Sequence, residues 1–443
     1  MKKIVLSLAG VLAATAFAPE ASAIPAFARQ TGLACSSCHF QHYPVLSTTG
    51  QEFKVGAYTQ LSAKGKFKGE DLSIPDQLNA AILLKARYQK SNGTDLATDV
   101  GGGTTNSGQF QIPDELSLFF GGRIGDSGMV KMGFMNENNM VGGPAGGIIA
   151  GLKIPVAIAL DPVTVQVIPY GTDALGMAYG FEQSSTGMTR GIRWAEHRTD
   201  ISAAQFTGMG SGTASGVAFV VNSDMGYLNL SKWTPQFFFV GGTTGVRMTS
   251  TWLRVAATPT IADWAMHIGA GMASGTSSCA DPLGAPATAH GPANDCDTKG
   301  TVVDFQAQGA VAEMETSLYA QYSSAPATSA SGANAGNLFN ASTFNSKTAL
   351  SVGADFSVIP HTLHVGVSYL TGNDGKVTAA DSDKVTSLTL AAVYDLYQNV
   401  ALHLNHSMRS GSAYNAGTGT RAAETLPGGV GKTLTTFMLE AAW

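Results

Sequence analysis

The feature that most restricts this chain is a period-two alternation that begins near Leu78 and recurs to the last residue. Ala80, Ile82, Leu84, Ala86 and Tyr88 fall on one face of an extended chain, and Lys85, Arg87 and Gln89 on the other. Successive side chains of a strand point to opposite faces, so this spacing reads as strand and not helix. Leu116, Leu118 and Phe120 alternate with Glu115 and Ser117. A Gly125–Gly128 turn then returns the chain through Val130, Met132 and Phe134. Late in the chain Leu350, Val352, Ala354 and Phe356 lead through Pro360 into Leu363, Val365, Val367 and Tyr369. Leu388, Leu390, Ala392 and Tyr394 follow, and the last stretch has Phe437, Leu439, Ala441 and Trp443.

The rest of the composition says where such strands belong. Met1-Lys2-Lys3, an apolar run from Ile4 to Ala18 and Ala21-Ser22-Ala23 have the form of an export signal cleaved after Ala23. The run is short of the ~20 residues of a spanning helix, which weakens the alternative of a membrane anchor. Charged residues are only 13% of the chain, against a usual ~25%, and glycine is abundant. No later apolar run reaches ~18 residues free of charge and proline; residues 147–160 carry Lys153 and Pro155. A net charge of −5 argues against a nucleic-acid partner. Tight turns alternate with long polar loops at Ser91–Ser107, Ser274–Gly300 and Tyr322–Lys347, and the chain ends on an aromatic residue. These traits predict an all-β fold, a transmembrane antiparallel outer-membrane β-barrel. Roughly 370 residues, at about 22–24 per strand and connection, predict about 16 strands. The alternative is an exported β-sandwich.

Ahead of the strands stands Cys35-Ser36-Ser37-Cys38-His39. This is the C-x-x-C-H attachment site of a c-type haem: two thiols one turn apart add to the two vinyl groups, and the histidine meets the iron. Cys35 and Cys38 are the expected thioethers, His39 the axial ligand, and one covalent haem c the cofactor. A zinc site is the alternative, but only His42 offers itself as a further ligand nearby. The chain divides into a signal (1–23), a haem segment (24–72), mostly helical or irregular, and a barrel (73–443). A segment this short builds only a small core alone, so the barrel lumen is expected to supply its walls. The second haem ligand stays open among His42, a barrel methionine (Met129, Met132, Met135, Met140), His197, His267, His364, His403, His406, or none. Cys279 and Cys296 share one loop and are expected to form a disulfide in an oxidising compartment; a metal-binding thiol pair is the alternative. Arg190, Arg193, Glu196, His197 and Arg198 around Trp194 suit a charged lumen lining, or a grip on the haem segment.

The stretch Pro25-Ala26-Phe27-Ala28-Arg29-Gln30-Thr31-Gly32-Leu33-Ala34-Cys35-Ser36-Ser37-Cys38-His39-Phe40-Gln41 resembles the fused monohaem cytochrome–porins of iron-oxidising bacteria. Looser similarity continues at Phe53-Lys54, 56–59, 113–119, 172–176 and 193–197. Ser47-Thr48-Thr49 departs from the Asn-x-Phe of that pattern. The resemblance implies an Fe(II) oxidase of the cell outer membrane that passes electrons from extracellular Fe(II) to a periplasmic c-type cytochrome or other carrier. A solute porin with a structural haem plug, or a conduit with another donor, are the alternatives. Across an apolar belt ~25 Å tall, one haem serves both faces only from within the bore, about half that height from either mouth.

Overall fold

The computed structural model describes residues 25–62, 66–68, 73–75, 79–93, 106–126, 128–140, 149–184, 202–237, 247–278, 295–327, 336–340, 342, 345–375, 384–411 and 431–443. Its body is a closed antiparallel barrel. The wall has sixteen strands, two of them interrupted. They are β1 (Ala80–Ser91), β2 (Gln109–Asp126), β3 (Val130–Asn139), β4 (Gly151–Lys153 and Val156–Leu160), β5 (Val163–Thr172), β6 (Ala214–Ser223), β7 (Gly226–Thr234) and β8 (Ser250–Ala257, resumed at Thr260–Ile261). There follow β9 (Trp264–Ser274), β10 (Gly300–Val311), β11 (Met314–Ala325), β12 (Lys347–Ile359), β13 (Leu363–Asn373), β14 (Lys384–Tyr397), β15 (Val400–Ser410) and β16 (Thr433–Ala442). The ring closes where β16 pairs with β1, from Leu434 opposite Ser91 to Ala442 opposite Leu83. Trp443 extends the seam by exchanging backbone hydrogen bonds with Ile82, at 2.8 and 3.0 Å.

The two ends of the barrel differ. One end carries turns of two or three residues, such as 161–162, 262–263, 312–313 and 360–362. Ala262-Asp263 and Ala312-Glu313 both take positive φ at each position (49° and 65°, 49° and 66°), the type I′ geometry whose twist matches the flanking strands. The other end carries the long connections 92–108, 173–213, 275–299 and 326–346. The alternation read in the sequence sets the faces. In β1 the odd-numbered residues from Ala81 to Ser91 are buried inward, while Tyr88 points out. Phe219, Leu230, Val255, Ile268, Leu390 and Phe437 are likewise exposed on the outside, giving the apolar band that a lipid-facing barrel shows. Among the described residues no helix is long and apolar enough to cross a membrane.

Among the described residues, two inserts pack inside the bore. Residues 25–62 form three short helices, α1 (Pro25–Thr31), α2 (Cys35–Cys38) and α3 (Thr48–Val55), and pack on the inner wall toward the short-turn end. Gln41 donates to the Glu315 and Asp355 carbonyls (2.8 and 2.9 Å), and Gln308 donates to the Leu46 carbonyl (3.0 Å). Gly133 is needed here because a Cβ would collide with the Ala57 carbonyl. A small hairpin, Lys66–Lys68 with Ser73–Pro75, precedes the wall. The wall itself starts at Ala80, a few residues after the boundary expected at 73.

Residues 173–184 and 202–213 pack inside the barrel toward the other end. Their helix α4 (Ala203–Thr207) lies against β11 to β13: the Ala204 amide donates to Gln321 Oε1 (2.7 Å), and the Phe206 ring fills the space over Gly372. Tyr179 and Phe181 join Trp233 and Trp252 of the inner wall in one apolar cluster. Glu182 meets Arg254 of β8 (3.0 Å), which also pairs with Asp304 of β10. A lumen expected to be polar is thus partly a hydrophobic core. The two inserts touch where Lys54 Nζ donates to the Glu182 carbonyl (3.1 Å).

Candidate functional site

The C-x-x-C-H motif folds as its spacing demands. α2 is a single turn, closed by the His39 amide on the Cys35 carbonyl at 2.9 Å. The chain then turns back, so that Phe40 N donates to Val45 O and Ser47 N to Cys38 O, both at 2.9 Å. Gln41 takes a φ of 63° to allow this reversal. Gly50 permits the close return, since a Cβ there would strike the Cys38 carbonyl. Neither thiol is in a disulfide.

His39 Nδ1 lies 3.2 Å from the Val45 carbonyl. That contact makes Nδ1 the donor and leaves Nε2 the unprotonated nitrogen, the arrangement by which proteins aim an imidazole at a metal. Burial pulls the His39 pKa down to about 4, against the hydrogen bonds to Val45 and Pro44, so the ring is neutral at pH 7. Burial pushes the Cys35 thiol up to about 12 and raises Cys38 as well.

Cys35 and His39 line a cavity of about 240 Å³. Pro25, Ala81, Leu83, Phe119, Val400 and Ala401 give it apolar walls; Asp395, Gln398, Asn399, Glu440 and His361 give it a polar edge. Most of these wall residues sit at strand ends or turns of the short-turn mouth. The position differs from the mid-height placement expected above, because the segment enters from that mouth and its first turns meet the strand ends there. Covalent haem fits this setting: two thiols outside any disulfide, one neutral imidazole with its second nitrogen tied, and a largely apolar hollow beside them. Zinc does not, because among the described residues no three His, Cys, Asp or Glu side chains come close enough to hold a metal.

His42, three residues after His39, also lines the cavity but has both ring nitrogens engaged. Its Nε2 lies 2.6 Å from Asp355 Oδ2 of β12, and its Nδ1 2.9 Å from the Tyr43 carbonyl. Burial alone would lower the His42 pKa; the charge and hydrogen bond of Asp355 outweigh it and raise the value. His364 lies beside it, ring centroids 5.7 Å apart and tilted by 49°, and is bonded to Ser357 and Asp395. His403 lies 3.2 Å from Glu440, His267 sits between Glu182 and Asp304, and His406 bonds Thr435. Met129 and Met140 are exposed, and Met135 packs on the apolar cluster. His197 and the charged group Arg190, Arg193, Glu196 and Arg198 lie outside the described residues, as does Cys279. Cys296, in the hairpin of Thr276–Ser278 with Asp295–Asp297, is buried and disulfide-bonded. Sequence reasoning passed over His361 and Asp355, whose relevance arises only from a hairpin folded against the segment.

No protein-family model matches the chain, and no curated protein matches its sequence. Solved structures share the fold. The outer membrane channel DcaP of Acinetobacter baumannii superposes with a TM-score of 0.50 at 13% identity, over 86% of this chain and 100% of that one. Salmonella typhi OmpF in complex with daunomycin gives 0.51 at 10% identity, over 85% and 100%. At these identities the likeness is one of fold: a porin-type, sixteen-stranded outer-membrane barrel.

Proposed function

We propose that this protein is an outer-membrane cytochrome–porin: an Fe(II) oxidase in which a single c-type haem, carried by the N-terminal segment inside the barrel, passes electrons from extracellular Fe(II) to a periplasmic c-type cytochrome or similar carrier. The observation that supports it most is the pairing of a C-x-x-C-H turn with a largely apolar cavity inside a barrel that also holds a buried apolar cluster. Cys35 and Cys38 would hold the haem through thioethers and His39 through Nε2. When bound, the haem supplies a one-electron couple, whose potential burial and ligand set would tune. The Val45 carbonyl keeps His39 in the binding tautomer, and the apolar walls exclude water. Short turns face the periplasm in such barrels, so the cavity adjoins the face where a soluble acceptor docks. The donor side then lies more than half of a belt ~25 Å away, farther than the mid-height position would require, which makes reduction by the donor the slower of the two transfers.

The fold shared with channels supports a second reading, a solute porin with a structural plug; the two inserts packed inside the bore weigh against it. A third keeps the conduit and changes the donor. Stopped-flow reduction of the oxidised protein by Fe(II), with conductance in a planar bilayer, separates the three. Haem reduction by Fe(II) with small conductance is the expected result. A large ohmic pore whose haem ignores Fe(II) would overturn the proposal in favour of the porin. Small conductance with no response to Fe(II), but reduction by another donor, would favour the third reading.

A further inference from the structure

A haem anchored by Cys35, Cys38 and His39 turns its other face to the rest of the cavity wall. What that wall can offer an iron is decided by chemistry and by prior commitments. Among the described residues no methionine lines the cavity. His42 lines it but has one nitrogen on Asp355 (2.6 Å) and the other on the Tyr43 carbonyl (2.9 Å). The carboxylates of Asp395 and Glu440 face His364 and His403, each at 3.2 Å. The remaining imidazole on the wall is His361.

His361 sits on the turn between β12 and β13, at a φ of 55°, in a region of backbone space where histidine is among the better tolerated residues. The turn is firmly placed. Thr362 N donates to Ile359 O at 3.0 Å, and Asp395 N of β14 donates to Thr362 O at 2.8 Å. The backbone at His361, which is exposed and lines the cavity, is thereby fixed there on a different element from the one that bears His39.

We propose that His361 is the second axial ligand of the haem iron, giving a bis-imidazole site shared between the N-terminal segment and the barrel wall. The assignment rests on the cytochrome reading above. It also gives the segment a coordinate bond to the wall, in addition to its hydrogen bonds.

The test uses the full-length protein in detergent, with haem content measured first as the pyridine haemochrome. The ferric wild type is expected to be six-coordinate and low-spin by absorption and electron paramagnetic resonance, and its ferrous form slow to bind carbon monoxide. His361→Ala is expected to become high-spin and to bind carbon monoxide rapidly, with free imidazole restoring the low-spin spectrum. His361→Met is expected to stay low-spin with a higher midpoint potential, as thioether ligation raises it. Heat-modifiable gel mobility confirms that each variant retains a folded barrel. A wild type with covalent haem that is already high-spin, or a His361→Ala variant that stays low-spin, overturns the ligand and leaves the cytochrome reading standing. A wild type with no covalent haem overturns both.

Discussion

At the scale of single residues, the site divides into what one spacing encodes and what only folding assembles. The turn that brings Cys35, Cys38 and His39 together was legible from their spacing, and the attachment proposed for them rests on that spacing. Cys35→Ser with Cys38→Ser should abolish haem staining on a denaturing gel while leaving barrel mobility unchanged; staining that survives would refute the attachment. The Val45 carbonyl, Asp355 and His361 were not legible, since nothing in a sequence says which hairpin will face the motif. Asp355 carries its own prediction. His42 is faced by Asp355 of β12, by His364 of β13, by Asp395 of β14, and by Tyr43 and His39 of its own segment. Its pKa is raised in the folded state, so the stability it contributes is fully present below the ordinary imidazole range and is lost as pH climbs through the raised value. Segment docking should therefore loosen with rising pH, read as hydrogen exchange of residues 40–46 corrected for intrinsic rates. Asp355→Asn should flatten that profile, and should weaken docking at low pH by about 3–5 kcal/mol, the usual result of stranding one member of a buried pair. An unchanged profile would remove His42 from the account.

At the scale of elements, the strands followed their alternation, and the inserts did not announce themselves. Nothing in the short helices α1 to α4 has a strong periodic pattern, because each is stabilised by the wall and not by its own amphipathic face. The sign that could have been read was the wrong residue on the polar face: Trp233 and Trp252 stand at inward positions between Asn229, Ser231 and Arg254. They are the wall's half of the apolar cluster that receives Tyr179 and Phe181. Trp252→Ala should cost about 3–5 kcal/mol through the cavity it leaves, seen as a lower temperature for loss of heat-modifiable mobility. Gly133→Leu acts on the other insert. Its side chain needs the place of the Ala57 carbonyl, so the N-terminal segment should become sensitive to trypsin at Lys54 while the barrel remains intact; continued protection would mean the segment is held elsewhere.

At the scale of the whole molecule, the barrel was legible in outline because export, low charge, alternation and unequal loops all agree. Strand number followed from length alone. The filling of the bore and the off-centre cavity did not, since both depend on which loops turn inward. The off-centre cavity predicts unequal kinetics. Reoxidation of the reduced protein by a soluble ferric cytochrome should be much faster than its reduction by Fe(II), and only the slower step should respond to changes in residues 173–184 and 202–213. Equal rates at the two faces would contradict the placement.

One further consequence concerns assembly. The seam that closes the ring, β16 against β1, also supplies Ala81, Leu83, Glu440 and Ala442 to the cavity. The first strand and the last must meet for either structure to be complete. On the cytochrome reading proposed above, zipping the cylinder shut would also enclose the prosthetic group, which would have to be on the polypeptide beforehand.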